Sequence, residues 1–322
     1  MCHHTEKFGV TAKLQEVASL LASGYVFTEA EEILHNLLGI ELSAKQVQRI
    51  SEHYGQKLEE SEASYQDMST DVPLIAAATS ASPVYITMDG SMVYTREDAW
   101  KEMKMGRIYS GTSRVEIQKN RTEIMDSLYV CTLGNNKDFL KKLEPYVEPY
   151  QCKIFIADGA KWIWNWVDDF YSDSVQILDF YHAVEKLGAY ALIAYKDVEK
   201  RRQWLDFQKQ RLKADEIEKV LDDLKKIAAK TLPTTQIGKS LKDIIHYYEN
   251  NIERMKYGTF IKKGFLIGSG AIESAHRNVI QQRLKLSGQR WSIKGAQRIV
   301  NLRAYWKSKR WNDLTYQIKM AA

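Results

Sequence analysis

Two short runs, Ile154-Phe-Ile-Ala157 and Val175-Gln-Ile-Leu178, each stop at an aspartate, Asp158 and Asp179. Both are mostly apolar and too short to be helices, so they read as buried strands of a parallel sheet, with a helix over the stretch between them. That strand–helix–strand pattern constrains the fold more than any other feature. It also carries a functional hint, because open α/β sheets place their chemistry outside the carboxyl ends of the strands. A carboxylate there suggests a metal-dependent site, provided that other segments supply partners.

The 322 residues suffice for one large domain or two to three smaller ones, and a hydrophobic fraction of 44% excludes wholesale disorder. Net charge is +5, a weak pointer to an anionic partner, but its distribution is more informative. From Arg277 to the C-terminus there are eleven lysines and arginines against one acid, Asp313. Such a segment is either a solvated helix face or a polyanion-binding surface. The three cysteines, Cys2, Cys131 and Cys152, form no C-x-x-C pair, so neither a disulfide framework nor a complete zinc knuckle is indicated. No run approaches the roughly 18 apolar residues of a membrane span, and no signal peptide is evident. The expectation is a soluble, cytoplasmic protein with no membrane partner.

Residues 11 to 65 have helical periodicity through Leu14, Val17, Leu20 and Leu21, then Ala30, Ile33, Leu34, Leu37 and Leu38. Thr28 and Ser43 are expected N-caps, and the break at Gly39 makes a helix-turn-helix-like pair or an ordinary helical hairpin. A breaker-rich stretch ending at Thr79-Ser-Ala-Ser-Pro83 marks a boundary. Strands are expected at Val84–Met88, running into Asp89-Gly90, at Arg107–Ser110 and at Ile124–Leu133. A helix follows from Asn136, with Pro145 expected to kink or end it. Residues 183 to 262 read as all-helical, and Gly264-Phe-Leu-Ile-Gly-Ser-Gly270 as a glycine-rich turn before another helix. The expected division is 1–78 helical, 79–182 the first part of an α/β core, 183–262 a helical insertion, and 263–322 the completion of the core. Strands and helices in this order match a ribonuclease H-like fold.

Metal-assisted phosphoryl transfer needs carboxylates converging from distant positions to hold two divalent ions. Three residues fit: Asp89 ending the first strand, Asp158 ending the fourth, and Glu273 opening a helix. The first and fourth strands would be central neighbours. Each residue also has a bland reading, since Asp-Gly makes turns and Glu273 could simply favour a helix N-terminus. Gly90 and Gly159 would let a phosphate backbone come close. Asp179 is either a supporting carboxylate or a helix cap, and His182 either packs or orients a carboxylate near a phosphate. In the basic segment, Arg277, Arg283, Lys285, Arg290, Lys294, Arg298 and Arg303 would contact phosphates, with Trp291 the tryptophan expected to be exposed. Two helices there should each bury one face.

The runs Asp158-Gly-Ala-Lys-Trp-Ile-Trp164, Gln176-Ile-Leu-Asp-Phe-Tyr-His-Ala183, Gly268-Ser-Gly-Ala-Ile-Glu-Ser274 and Arg290-Trp-Ser-Ile-Lys-Gly-Ala-Gln297 resemble the ISKra-type insertion-sequence transposases. The ISLre-type and Mutator-like transposases look like more distant relatives. The resemblance runs from about residue 10 to the C-terminus. It implies a DDE recombinase with a ribonuclease H-like core, in which Asp89, Asp158 and Glu273 bind Mg²⁺ or Mn²⁺ at a two-ion site. It implies that Asp179 and His182 form a D-x-x-H signature, with His182 functional. It further implies double-stranded DNA as partner, homo-oligomers on that DNA and a bacterial, nucleoid-associated location. Longer members carry more sequence ahead of this region, which makes Met1-Cys-His-His4 at most a fragment of a metal site. An inactivated DNA-binding regulator and a ribonuclease H-like nuclease without strand transfer are the alternative readings.

Overall fold

Val84 to Thr95 is rich in β-branched and aromatic residues, and it pairs with Ala99 to Ser110 along its whole length. The computed structural model that shows this describes residues 7–64, 74–75, 82–118 and 121–320. Met1-Cys-His-His4 and most of the expected boundary stretch, 65–73 and 76–81, lie outside the described residues. The chain is mixed α/β, with both antiparallel and parallel strand pairs. It divides into two compact units, one of residues 1–153 and 271–322, the other of residues 154–270.

The first unit opens with three helices, α1 (Ala12–Gly24), α2 (Phe27–Leu38) and α3 (Ala44–Ser64). Thr11 caps α1 through Leu14 N–H at 3.2 Å, Gly39 ends α2 in the left-handed region, and Ser43 caps α3 through Gln46 N–H at 3.3 Å. Thr28 is not a cap: α2 starts at Phe27, with Val26 at the cap position. The fully buried face of α1 is Gln15, Ala18, Ser19, Ala22 and Ser23, with the leucines at its margins. Small side chains let α1 approach α3 closely, and the one long polar residue is satisfied because Tyr54 donates to Gln15 Oε1 at 2.5 Å.

Strands β1 (Val84–Thr95) and β2 (Ala99–Ser110) form a long hairpin. A short exposed hairpin follows, β3 (Arg114–Gln118) with β4 (Arg121–Ile124). Then β5 (Leu128–Leu133) pairs antiparallel with β2. The expected strand from Ile124 is thus split at residues 125–127. Helix α4 (Asn136–Val147) runs through Pro145. Pro145 does not end it at once: the helix runs two residues further, and the ring, which lacks an N–H, leaves the Lys141 carbonyl without its usual helical bond.

In the second unit, β6 (Lys153–Ala157) and β7 (Val175–Leu178) pair in parallel around α5 (Lys161–Phe170), as the apolar runs predict. Five helices follow: α6 (Phe180–Ala194), α7 (Val198–Lys213), α8 (Ile217–Ala228), α9 (Gln236–Glu249) and α10 (Tyr257–Lys262). Helices α7 and α8 are separated by a short break in which Asp215 takes φ 60.

The chain returns to the first unit through α11 (Gly270–Ala275), a π-type segment (His276–Gln281) and α12 (Gln282–Leu284). It ends with α13 (Ile293–Lys307) and α14 (Trp311–Met320). The sequence pattern predicts one buried face for α13. Instead it is buried on nearly every side from Ile299 to Tyr305, because it packs against both α3 and β5. Its Ile299, Val300 and Leu302 share a core with Val47, Ile50, Tyr54 and Met105.

Candidate active site

Asp158 and Asp179 stand together at the carboxyl end of the parallel pair. Ala157 lies in register with Leu178, and Asp179 N–H donates to the Ala157 carbonyl at 2.8 Å. Asp158 is half-buried. Its Oδ1 accepts Ala160 N–H at 2.9 Å, and its carbonyl accepts the indole N–H of Trp164 at 2.7 Å. The turn leaving β6 is therefore locked, with the carboxylate held by its own backbone. Gly159 does not leave room for a phosphate here. A Cβ at that position would collide with the ring of Tyr247 on α9. Burial, then the Asp158 charge, push the Tyr247 phenol well above its ordinary range.

Asp179 is fully buried, and its oxygens serve four partners. Its carboxylate caps α6 through Tyr181 N–H at 2.8 Å, accepts from His182 Nδ1 at 2.7 Å and accepts from the Ser269 hydroxyl. Its carbonyl accepts Ala183 N–H. Burial alone would raise this carboxyl, but the hydrogen bonds from His182, Ser269 and Tyr181 outweigh it and hold it below the usual carboxylate range. An ionised carboxylate can only accept, so Nδ1 of His182 carries the proton and Nε2 is the basic nitrogen. The His182 side chain is one-third exposed, at 33%.

The glycine-rich turn belongs to this same cluster. Phe180 N–H donates to the Ile267 carbonyl, and Ser269 reaches Asp179. A Cβ at Gly268 would fall 2.5 Å from the Tyr181 ring. The glycine thus makes space for a protein side chain, and the two motifs, ninety residues apart, form one hydrogen-bonded unit.

Asp89 and Glu273 belong to the first unit. Asp89 does not end β1. It lies mid-strand opposite Met105, because the β-forming run Met92-Val-Tyr-Thr95 continues the ladder and the turn comes at residues 96–98. The space beside Gly90 holds the Glu102 carboxylate. Asp89 Oδ1 accepts Gly90 N–H at 2.7 Å, and Oδ2 lies 3.5 Å from Nε2 of His276. Burial pushes that imidazole down to about 4, so it is neutral at pH 7 and the contact is not an ion pair. Glu273 is exposed on α11, three residues before His276, where the helix widens into its π-type segment. Such segments re-aim side chains and favour functional positions. The start of α11 is tied to β2, since buried Arg107 donates Nη1–H to the Ala271 carbonyl at 2.7 Å and Nε–H to Ser127 at 3.0 Å.

All three acids offer hard oxygen ligands of the kind Mg²⁺ takes. Among the described residues, no group of three or more His, Cys, Asp or Glu side chains is gathered for a metal ion.

The basic segment divides into two populations. Arg277, Lys285, Arg290 and Lys294 are exposed, and Arg298 is half-buried beside Gln56 and Glu52. Arg283 and Arg303, expected at a phosphate surface, are core residues at 1% and 2% exposure. Arg303 donates to the carbonyls of Val279, Ser23 and Asn278. Arg283 donates to Ala22 O at 2.8 Å, and its guanidinium lies 4.9 and 4.8 Å from the Phe27 and Trp291 ring centres. Trp291, expected to be exposed, is buried at 7% because it forms one side of that sandwich, and its indole donates to Leu284 O. Helical carbonyls and aromatic faces take up these cations where α1, α2 and the C-terminal helices meet.

Ser269, Tyr247, His276 and Arg107 do not stand out in the sequence reading. Ser269 lies inside a motif, and His276 follows Glu273 at helical i+3 spacing, so both had a signal. Tyr247 and Arg107 act across long sequence separations and had none.

No family model matches the chain. It is 25% identical over 301 residues to a protein of Streptococcus gallolyticus described as "UPF0236 protein in vanSb 3'region", a match that takes in 89% of this chain. The chain spans 61% of that relative's length.

Proposed function

We propose that the protein is a DDE-type DNA transposase, cutting transposon ends and joining them to target DNA by metal-dependent phosphodiester chemistry. The observation that carries this reading is the ordered set Asp89, Asp158, Asp179-x-x-His182 and Glu273. Its middle members cluster at the carboxyl end of a parallel strand pair. The order of elements also supports a ribonuclease H-like core: three antiparallel strands, a helix, then two parallel strands around a helix. Asp89, Asp158 and Glu273 would hold two Mg²⁺ or Mn²⁺ ions, which when bound neutralise charge on the attacking and leaving oxygens. The backbone amides that engage Oδ1 of Asp89 and Asp158 restrict both carboxylates to one orientation, which limits the entropy lost on binding a ligand. Asp179 keeps His182 in one tautomer, so that Nε2 can take a proton from water or a 3′-hydroxyl near the scissile phosphate. The exposed cations of the C-terminal segment hold DNA phosphates, and the protein acts as a dimer or larger oligomer on DNA in the nucleoid. No helix among the described residues is long and apolar enough to cross a membrane.

The test is cleavage and joining of end-sequence DNA with Mg²⁺. Asp89→Ala, Asp158→Ala and Glu273→Ala should each lower both steps by at least ~100-fold while DNA binding persists. Unchanged rates in all three would overturn the assignment. Cleavage without joined product would identify a nuclease, and binding without cleavage in the unaltered chain a regulator.

A further inference from the structure

The tip of the β1–β2 hairpin presents an aromatic corner. Tyr94 and Trp100 are register partners, so both rings leave the same face, 5.4 Å apart and nearly perpendicular at 87°. Trp100 is 61% exposed, unusual for the largest apolar side chain. The turn that delivers it is built tightly. Thr95 Oγ1 accepts Asp98 N–H and donates to the Ala99 carbonyl, and Ala99 takes φ 54 immediately before Trp100. A non-glycine residue in that region marks a conformation imposed by its surroundings.

The corner faces the loop that follows α12. Tyr94, Trp100, Leu284, Lys285, Leu286 and Arg290 are among the residues that line a hollow of about 430 Å³, within the roughly 300–1,000 Å³ of ligand pockets. Hydrogen bonds hold hairpin and loop in this relation. Arg96 N–H donates to Trp291 O at 2.8 Å, Trp291 N–H to Tyr94 O at 3.3 Å, and Arg96 Nε to Arg290 O at 3.1 Å. Lys285 and Arg290 are both exposed at the rim, with Arg290 over the Tyr94 ring at 5.9 Å. Among the described residues, no carboxylate lines the hollow.

We propose that this hollow receives an unpaired nucleobase of a DNA strand. The base stacks on Trp100 with its edge toward Tyr94, and the flanking phosphates lie on Lys285 and Arg290. An aromatic face with cations and no anion matches a base and its phosphates, and a paired base has no face to offer. The inference rests on the reading of the protein as one that acts on DNA, but it does not need the metal chemistry.

The experiment measures affinity of the full chain, without divalent metal, for a single-stranded oligonucleotide, for a blunt duplex of the same sequence, and for that duplex with a one-nucleotide 3′ flap carrying 2-aminopurine. Trp100→Ala should weaken single-strand and flap binding about 10-fold and leave duplex binding within about 2-fold, while Trp100→Phe should retain most of it. The 2-aminopurine emission should be quenched by the unaltered protein and recover in Trp100→Ala. Equal losses on duplex and single strand, no loss on either, or no DNA binding at all would overturn the proposal. So would Trp100→Ala dissociating an oligomer with all DNA affinities unchanged. Metal-dependent cleavage surviving alongside an indifferent Trp100 would sink the hollow and spare the transposase. Trp100-dependent stacking with no cleavage would do the reverse.

Discussion

Asp179 shows how one buried side chain organises a site. Its carboxylate gathers a helix N-terminus, an imidazole and a serine from ninety residues further along the chain. Because its folded value lies below the ordinary 3.8, the native state favours the ionised form. That stability is fully present above pH ~4 and is lost as pH falls through the lower folded value. Asp179→Asn should therefore flatten the acid side of the stability profile below pH ~4. It should also cost about 2–3 kcal/mol at pH 7, because it replaces charge-assisted bonds. Urea denaturation across a pH series checks both, and a variant as acid-sensitive as the unaltered chain would contradict the account. The same carboxylate fixes the His182 tautomer, so residue-scale chemistry and local folding share one group.

At the scale of elements, the crossing of α3 and α13 is the least forgiving contact. Gly55, in the middle of α3, would place a Cβ in the backbone of α13 at the Arg298 carbonyl. Asn301 spans the crossing by donating to Gly55 O at 3.2 Å. Alanine is the better helix former by about 1 kcal/mol, so an isolated α3 would gain from Gly55→Ala. In the folded protein the sign should reverse, with a net loss of about 2–3 kcal/mol from overpacking, read as a lower thermal midpoint. Arg107 plays a comparable part for α11. Arg107→Ala removes the tie between β2 and the Ala271 carbonyl, and should cost about 2–3 kcal/mol while lowering any activity that depends on Glu273. Activity unchanged at full occupancy of the folded state would separate α11 from the site.

For the whole molecule, the charge map read from sequence splits once burial is known. Alanine at Arg277, Lys285, Arg290 and Lys294 should leave the fold intact. Removing each phosphate-binding cation should reduce the salt dependence of duplex affinity by roughly 0.9 in log–log slope. Arg283→Met and Arg303→Met should act differently, lowering the denaturation midpoint, since these guanidinium groups hold carbonyls and rings inside the first unit. Burial pushes both down to about 10, still well above neutrality, so each is a charged group in the core with its partners chosen by the fold. A midpoint unmoved in both variants, with a shallower salt slope, would return them to the DNA surface.

Local pattern settled what depends on local physics. The apolar runs at 154–157 and 175–178 form parallel strands because their length and composition suit no other buried element. Helices appear wherever apolar residues recur at helical spacing, and Gly39 and Ser43 punctuate them as their conformational preferences require. Asp158 at a strand end could be read from those strands alone, whereas Asp179 stayed open between a supporting carboxylate and a cap, and the structure gives it both parts. What the sequence left undecided was every question of which neighbour fills a space. Gly159 and Gly268 could have opened a path for a ligand, yet each accommodates a tyrosine ring, from Tyr247 and Tyr181. Arg283, Arg303 and Trp291 looked like surface groups because charge and aromaticity alone do not reveal burial. Their places were decided by carbonyls and rings contributed from α1, α2 and the π-type segment. Asp89 fell mid-strand because pairing with β2 outweighed the turn preference of Asp-Gly. Such outcomes depend on contacts between residues far apart in the chain, where packing and hydrogen-bond satisfaction override local propensity.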